Sequence, residues 1–126
     1  MNPILIYILI VNFQLGLKAF GDWWYKKYKK KIINHGLSSA IDVLIYCGSS
    51  LWLFGNNIVF AVGMIVLAIG YRWNMYDQVY NYINNHKWNH YGTSSGVDRF
   101  QIKMGKYHMV TKSAVVILGI ILIIIS

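Results

Sequence analysis

Four apolar segments constrain the fold of this chain more than any other feature of its sequence. They cover residues 3–20, 37–54, 58–73 and 107–125. A helix that crosses the hydrocarbon core of a bilayer needs about 20 mainly apolar residues, within a range of about 17–25. Each segment approaches that length, and hydrophobic residues make up 56% of the chain. The sequence therefore predicts an all-α fold: a four-transmembrane-helix integral membrane bundle that forms a single domain over residues 1–126.

The connections between the segments predict how the chain is threaded through the membrane. Only Gly55, Asn56 and Asn57 separate the second and third segments. Gly and Asn are typical of tight turns, so we expect these two helices to form an antiparallel hairpin. The loops 21–36 and 74–106 then lie on one side of the membrane, and both termini lie on the other side with the turn.

The distribution of charged residues predicts which side of the membrane is cytoplasmic. All 12 Lys and Arg residues, in a chain of net charge +8, lie in the two loops or at their edges. Cytoplasmic loops carry an excess of Lys and Arg. We therefore expect a multi-pass protein of the bacterial inner (cytoplasmic) membrane with both termini periplasmic. The first segment is expected to be a membrane helix and not a cleaved signal peptide, because its lysines follow the apolar run.

Basic residues on the cytoplasmic side are candidates for binding lipid headgroups. Each Lys near a membrane surface contributes about 1 kcal/mol to the binding of anionic lipid, although topology alone also explains the cluster. Tyr25 and Tyr28 alternate with lysines, but no nucleic-acid-binding motif is present, so no nucleic acid is expected as a partner. The candidate headgroup-binding residues are Lys26, Lys27, Lys29, Lys30, Lys31, Arg72 and Arg99.

Polar residues at the cytoplasmic ends of the second and third segments form another group of candidates. Asp42 lies inside the second segment, where an ionised carboxylate costs about 2.5–3.5 kcal/mol and is expected to face a partner. Counted from the turn at about 1.5 Å per residue, Arg72 lies at nearly the same depth, which predicts an ion pair. Asp77 and Asn81 share one face if residues 74–84 are helical, and this stretch predicts an interfacial amphipathic helix on the cytoplasmic side.

Two interpretations of these polar residues stay open. They form either a structural belt that ties helix ends together or a catalytic or ligand site that also includes Asp98. Ser95 and Asp98 match a weak capping box, which predicts a second amphipathic helix over residues 96–104. An anion site at the start of that helix, assisted by Arg99, is the functional alternative to simple capping.

No motif of the sequence predicts a metal or a cofactor. His86 and His90 have the i, i+4 spacing of metal ligands, but no acid or cysteine lies near them. The chain has no Walker loop and no dinucleotide-binding fingerprint. A single cysteine, Cys47, excludes an internal disulfide. We therefore expect neither a metal site nor a cofactor.

Small residues in the apolar segments predict close helix packing. Gly63 and Gly70 lie on one face of the third segment, and Ala61, Ala68 and Gly119 add further small sites. Small side chains let helix backbones approach each other in lipid. The pattern is consistent with a compact bundle and with a homo-oligomer, so membrane lipids and copies of the same chain are the expected partners.

The middle of the chain contains a polar pattern that resembles one found in a group of small membrane proteins. The pattern R-W-x-x-x-D-x-x-x-N is followed by W-x-x-Y-G-T-S-S-x-x-D-R-F, and over about residues 35–100 it resembles small membrane proteins of bacteriophages and prophages of Bacteroidetes-type hosts. The resemblance implies a phage or bacterial inner-membrane setting and no particular activity. The matching residues are His35, Ala40, Asp42, Arg72, Trp73, Asp77, Asn81, Trp88, Tyr91, Gly92, Thr93, Ser94, Ser95, Asp98 and Phe100.

These observations favour a small phage-type inner-membrane protein that assembles in the bilayer, with a holin-like or membrane-remodelling role. One alternative is a membrane-embedded enzyme or binding protein for a lipid-type substrate at the cytoplasmic interface. Another is a small transporter or channel subunit in which Asp42 and Arg72 line a polar path. Because no catalytic motif is present, we favour a non-enzymatic function, although the sequence does not exclude an enzymatic one.

Overall fold

A computed structural model of the chain describes residues 1–29, 35–85 and 102–126. Helices make up nearly all of these ranges, which contain no strand. A short 3₁₀ turn, Gly105–Tyr107, precedes the last helix. The helices are α1 (Pro3–Lys29), α2 (His35–Phe54), α3 (Ile58–Ile83) and α4 (His108–Ile124). The predicted all-α fold is confirmed for the described ranges.

The lengths and surfaces of the helices are those of membrane-crossing segments. Three stretches, Pro3–Tyr28, Ile58–Ile83 and Ile102–Ile124, are long and apolar enough to cross a membrane, and Ser38–Phe54 is a shorter apolar helix. Large apolar side chains such as Phe13 and Leu44 lie exposed on the outer faces. Exposed apolar surface of this extent is typical of contact with lipid or with another protein.

The turn between α2 and α3 forms the hairpin that the sequence predicts. The backbone N–H of Asn57 donates to the carbonyl of Phe54 at 2.9 Å, and the Asn57 side chain caps α3 by accepting from the N–H of Phe60 at 3.1 Å. The Asn57 side chain also donates to the carbonyl oxygen of Ser126 at 3.3 Å. The end of α4 therefore lies beside the turn, as the predicted threading requires.

The third helix corrects one prediction. It continues without interruption from Ile58 to Ile83, so residues 74–83 extend the membrane segment and do not form a separate interfacial helix. No Pro or Gly follows Gly70 before the helix ends, so nothing in the backbone breaks it there. Its 26 residues span about 39 Å, which exceeds the roughly 30 Å of a hydrocarbon core.

The second predicted amphipathic helix, over residues 96–104, lies mostly outside the described residues. Its last three positions, 102–104, are helical and lead into the 3₁₀ turn before α4.

Close contact between α3 and α4 depends on glycine. A Cβ atom placed on Gly119 would lie 2.5 Å from the backbone nitrogen of Leu67. A Cβ atom on Gly70 would lie 2.9 Å from the backbone nitrogen of Val116. Real Cβ atoms do not approach other atoms so closely, and small residues let helix backbones approach each other to this distance in membrane bundles. The predicted role of the small residues in close packing is thus confirmed within one chain.

The half of the bundle near the α2–α3 turn has an uncharged core. The Tyr7 hydroxyl donates to the carbonyl of Tyr46 at 3.2 Å, and the Ser50 hydroxyl donates to the carbonyl of Ala61 at 2.9 Å. These bonds satisfy buried polar atoms in a region without charge. The buried side chains of this core are Tyr7, Val11, Tyr46, Met64 and Ala68.

Candidate functional site

The buried charged side chains of the described ranges gather with other polar groups at the opposite end of the bundle from the α2–α3 turn, in two clusters. We name them by the helices that contribute to them. The α1–α2–α3 cluster consists of Gln14, Lys18, Asp22, Ser38, Ser39, Asp42, Arg72 and Tyr76. The α3–α4 cluster consists of Trp73, Asp77 and Lys112, flanked by the buried side chains of Asn81 and His108.

Asp42 is the centre of the α1–α2–α3 cluster. It is 1% exposed. The Arg72 Nε donates to its Oδ2 at 2.8 Å, and a second guanidinium nitrogen of Arg72 donates to the same oxygen. The Gln14 side chain donates to Oδ1 at 2.8 Å. The predicted Asp42–Arg72 ion pair is confirmed, and it resolves how a carboxylate is accommodated inside an apolar segment.

A second ion pair lies on α1 in the same cluster. The ammonium of Lys18 lies 3.4 Å from Oδ2 of Asp22 and also donates to the hydroxyl of Ser38. The Tyr76 hydroxyl donates to that same Asp22 oxygen. The ring of Tyr76 lies 5.3 Å from the Lys18 ammonium and 5.4 Å from the Arg72 guanidinium, within cation–π range. Tyr76 therefore links the two ion pairs.

The α3–α4 cluster contains a third ion pair. The Lys112 ammonium contacts Oδ2 of Asp77 and lies 5.8 Å from the centre of the Trp73 ring. Lys112 is 1% exposed. Asn81 lies one turn after Asp77, and His108 lies one turn before Lys112; both side chains are buried. An uncompensated charge would be costly at this degree of burial, so the pair explains how α4 carries a lysine.

Sequence reasoning missed the Asp77–Lys112 pair, although a signal for it was present. Gly70 and Gly119 mark the antiparallel contact of α3 with α4. Asp77 lies seven positions after Gly70, and Lys112 lies seven positions before Gly119. In an antiparallel pair these offsets bring the two charges to within about one helical turn of the same level.

The structure divides the predicted site residues between the two clusters. Arg72 contacts Asp42 and Ser39 of α2, whereas Asp77 contacts Lys112 of α4. The remaining catalytic candidate, Asp98, lies outside the described residues. The same is true of His86, His90, Lys30, Lys31 and Arg99. Within the described ranges, no three His, Cys, Asp or Glu side chains lie close enough together to hold a metal ion.

The lysines at the end of α1 lie against aromatic rings. The Lys26 ammonium lies 5.9 Å from the centre of the Tyr80 ring, and the Lys27 ammonium lies 4.8 Å from that of Trp23. Both lysines are exposed. Lys29 is the last residue of α1. Exposed lysines beside aromatic rings are typical of the headgroup region of a membrane.

A cleft of about 260 Å³ lies between α1 and α2, beside the α1–α2–α3 cluster. Gln14, Lys18, Asp22, Ser38 and Asp42 form its polar wall. Most of these polar groups are engaged with one another, but both printed contacts of the Asp22 carboxylate go to Oδ2, so Asp22 can accept a further hydrogen bond. The cleft can therefore bind a small polar group.

Comparisons with protein-family models, with curated proteins and with solved structures gave no match. The chemistry of the two clusters and of the cleft is therefore the basis for a function.

Proposed function

We propose that this chain is a small phage-type protein of the bacterial inner membrane that assembles in the bilayer and has a holin-like or membrane-remodelling role. The apolar outer faces of the helices support placement in a bilayer. The resemblance of the polar pattern to small phage and prophage membrane proteins supports the phage setting.

The pairing of the charges inside one chain is the observation that carries this proposal. Asp22, Asp42 and Asp77, the acids in the described ranges, are each paired with a Lys or Arg of the same chain. The other half of the bundle is filled by the uncharged core around Tyr7 and Tyr46. A single copy therefore offers no continuous polar path through its described part. A path across the bilayer would have to form between several copies.

The same observation weighs against the transporter or channel alternative. In that alternative Asp42 and Arg72 line a polar path, which requires water to reach them. Asp42 is instead nearly inaccessible, and three donor nitrogens already surround its carboxylate. We therefore favour an ion pair that stabilises the bundle over one that conducts.

The proposed orientation places the charged end of the bundle in the cytoplasm. Lys26, Lys27, Lys103 and Lys106 are exposed near that end, whereas the α2–α3 turn has no charged residue. By the positive-inside rule, the turn and both termini then face the periplasm.

Dye release from liposomes tests the proposed assembly. The purified full chain is reconstituted at increasing protein-to-lipid ratios into vesicles that contain a self-quenched dye. If several copies form each opening, the initial rate of release should rise more steeply than the first power of the protein-to-lipid ratio. A first-power dependence, or vesicles that stay tight at every ratio, would contradict the proposal.

Expression in a bacterial host separates assembly from catalysis. Induction of the chain is expected to collapse the membrane potential after a delay, as a threshold amount accumulates. The Asp98→Asn variant should behave like the wild type, because assembly does not require that carboxylate to react. If this variant accumulates normally and leaves the potential intact, the enzyme alternative gains support and the assembly proposal fails.

A further inference from the structure

The mouth of the cleft between α1 and α2 faces the lipid side of the bundle. Leu17 and Ile41 line the cleft and are 51% and 48% exposed on the outer surface. In a bilayer, these positions on the outside of a membrane helix contact lipid. The cleft therefore opens sideways, and a lipid can reach its polar wall without leaving the membrane.

The depth of the cleft matches the headgroup region. Trp23 and Trp24 follow Asp22 directly, and aromatic belts of this kind lie at the membrane–water interface. Asp22 therefore lies near the level of the headgroups. Gln14 is eight positions earlier on the same helix, about 12 Å deeper. The cleft thus extends from the headgroups towards the upper part of the acyl chains.

Asp22 has capacity for another hydrogen-bond donor. An ionised carboxylate has about four acceptor sites on its two oxygens. The contacts from Tyr76 and Lys18 both go to Oδ2. The Asp22 side chain is 9% exposed and lines the cleft, so a further hydrogen-bond donor can reach its carboxylate through the cleft. A primary ammonium would form a charge-assisted hydrogen bond there, which is among the stronger kinds.

The charge balance of the cluster favours an occupant without net charge. Lys18 and Arg72 offset Asp22 and Asp42, so the α1–α2–α3 cluster is neutral as a whole. A zwitterion adds no net charge to it.

We propose that the cleft binds the headgroup of a zwitterionic aminophospholipid of the phosphatidylethanolamine class. Asp22 accepts hydrogen bonds from the primary ammonium. Leu17 and Ile41 contact the start of the acyl chains. This site is separate from the proposed assembly function, since it is built within a single copy of the chain.

Retention of lipid by the purified chain tests this proposal. The full chain in detergent micelles is incubated with equal amounts of dioleoyl phosphatidylethanolamine, phosphatidylcholine and phosphatidylglycerol, and the bound lipids are counted by native mass spectrometry. Phosphatidylethanolamine should be retained at least about tenfold over phosphatidylcholine, because a quaternary ammonium has no N–H to donate to Asp22. Equal retention of these two lipids, or a preference for phosphatidylglycerol, would overturn the proposal.

Two glycines of α1 provide a matched pair of variants. Gly21 lines the cleft, whereas Gly16 does not. At both positions an added Cβ would meet no other described heavy atom within 4 Å, so a side chain can extend from either backbone without a clash at its first atom. Gly21→Leu should fill the cleft and abolish the preference for phosphatidylethanolamine, and Gly16→Leu should keep it. An unchanged preference in Gly21→Leu would refute the assignment of the site to this cleft.

A substitution at Asp22 tests the ammonium contact itself. Asp22→Asn removes the negative charge and should reduce the preference to less than about threefold, because the neutral amide binds an ammonium more weakly. A full tenfold preference in folded Asp22→Asn would show that Asp22 is not the acceptor. Thermal unfolding confirms the fold of each variant, and Gly21→Leu keeps the proposal testable if Asp22→Asn does not fold.

Discussion

Removal of either partner from the Asp42–Arg72 ion pair should strongly destabilise the bundle, because the other charge is then buried without its partner. We consider the variants Asp42→Asn and Arg72→Gln and their combination. Each single substitution leaves one charged group without its partner, and the double substitution removes both charges together. The difference between the double variant and the sum of the single variants measures the coupling between the two side chains.

The geometry sets the magnitude of this coupling. Two unit charges about 3 Å apart attract each other by roughly 5–6 kcal/mol at an effective dielectric constant of about 20. The partial exposure of the Arg72 side chain, 16%, and the loss of hydration reduce this value. Single hydrogen bonds between membrane helices average about 0.6 kcal/mol, and Arg72 donates from two nitrogens to one charged oxygen. We therefore expect a coupling of about 2–3 kcal/mol, or roughly 30- to 150-fold in the unfolding equilibrium.

Unfolding in mixed micelles measures the coupling. The full chain is titrated with sodium dodecyl sulfate, helix content and tryptophan fluorescence are followed, and the free energy of unfolding is obtained for each variant. A control cycle combines Asp42→Asn with Lys106→Gln, at an exposed lysine without contact to Asp42, and should give additive effects. A coupling below about 0.5 kcal/mol between Asp42 and Arg72 would refute the reasoning, because it would not exceed that of an average single hydrogen bond between membrane helices.

Two further predictions concern the contact between α3 and α4. Gly119→Ala should lower the free energy of unfolding by about 1–3 kcal/mol, because the added Cβ collides with the backbone of Leu67. The control Gly48→Ala lies at an open position and should be neutral or stabilising by up to about 1 kcal/mol in the same titration. Lys112→Asp alone should be strongly destabilising because it places two carboxylates together, and adding Asp77→Lys should recover more than half of the loss. Equal unfolding midpoints for the two glycine variants, or no recovery in the charge reversal, would contradict the packing described here.

The hairpin of α2 and α3 was predictable because its two constraints are local. The Gly-Asn-Asn turn fixes the starting point for counting residues along both helices. A constant rise per residue then places Asp42 and Arg72 at the same depth. The carboxylate inside an apolar segment requires a partner, so the depth and the chemistry together lead to the ion pair that the structure contains.

The end of α3 could not be predicted by the same reasoning. The change from apolar to polar residues near Arg72 predicts the end of the membrane helix there, but α3 continues to Ile83. Helix continuity depends instead on the backbone and on contacts with neighbouring helices. Tyr76 and Asp77 contact α1 and α4, and these contacts hold the extra turns in place.

The contact between Asp22 and Tyr76 could not be predicted from the sequence either. Lys18 and Asp22 are four positions apart, so their pairing is a local feature of a helix. Tyr76 joins them across 54 positions of the chain. That contact depends on how α1 packs against α3. No tight turn joins these two helices, and no pair of glycines marks their contact, so their relative heights could not be counted from the sequence.

Site-specific labelling of cysteines tests most directly the claim that one end of the bundle is charged and cytoplasmic. In a Cys47→Ser background, single cysteines are introduced at Lys26 and at Asn56, both exposed positions at opposite ends of the bundle. Intact cells are treated with a membrane-impermeant maleimide. We predict that the cysteine at position 56 is labelled in intact cells and that the cysteine at position 26 is labelled only after the inner membrane is permeabilised. Labelling of both positions from the same side would contradict the threading and the proposed location of the polar clusters and cleft.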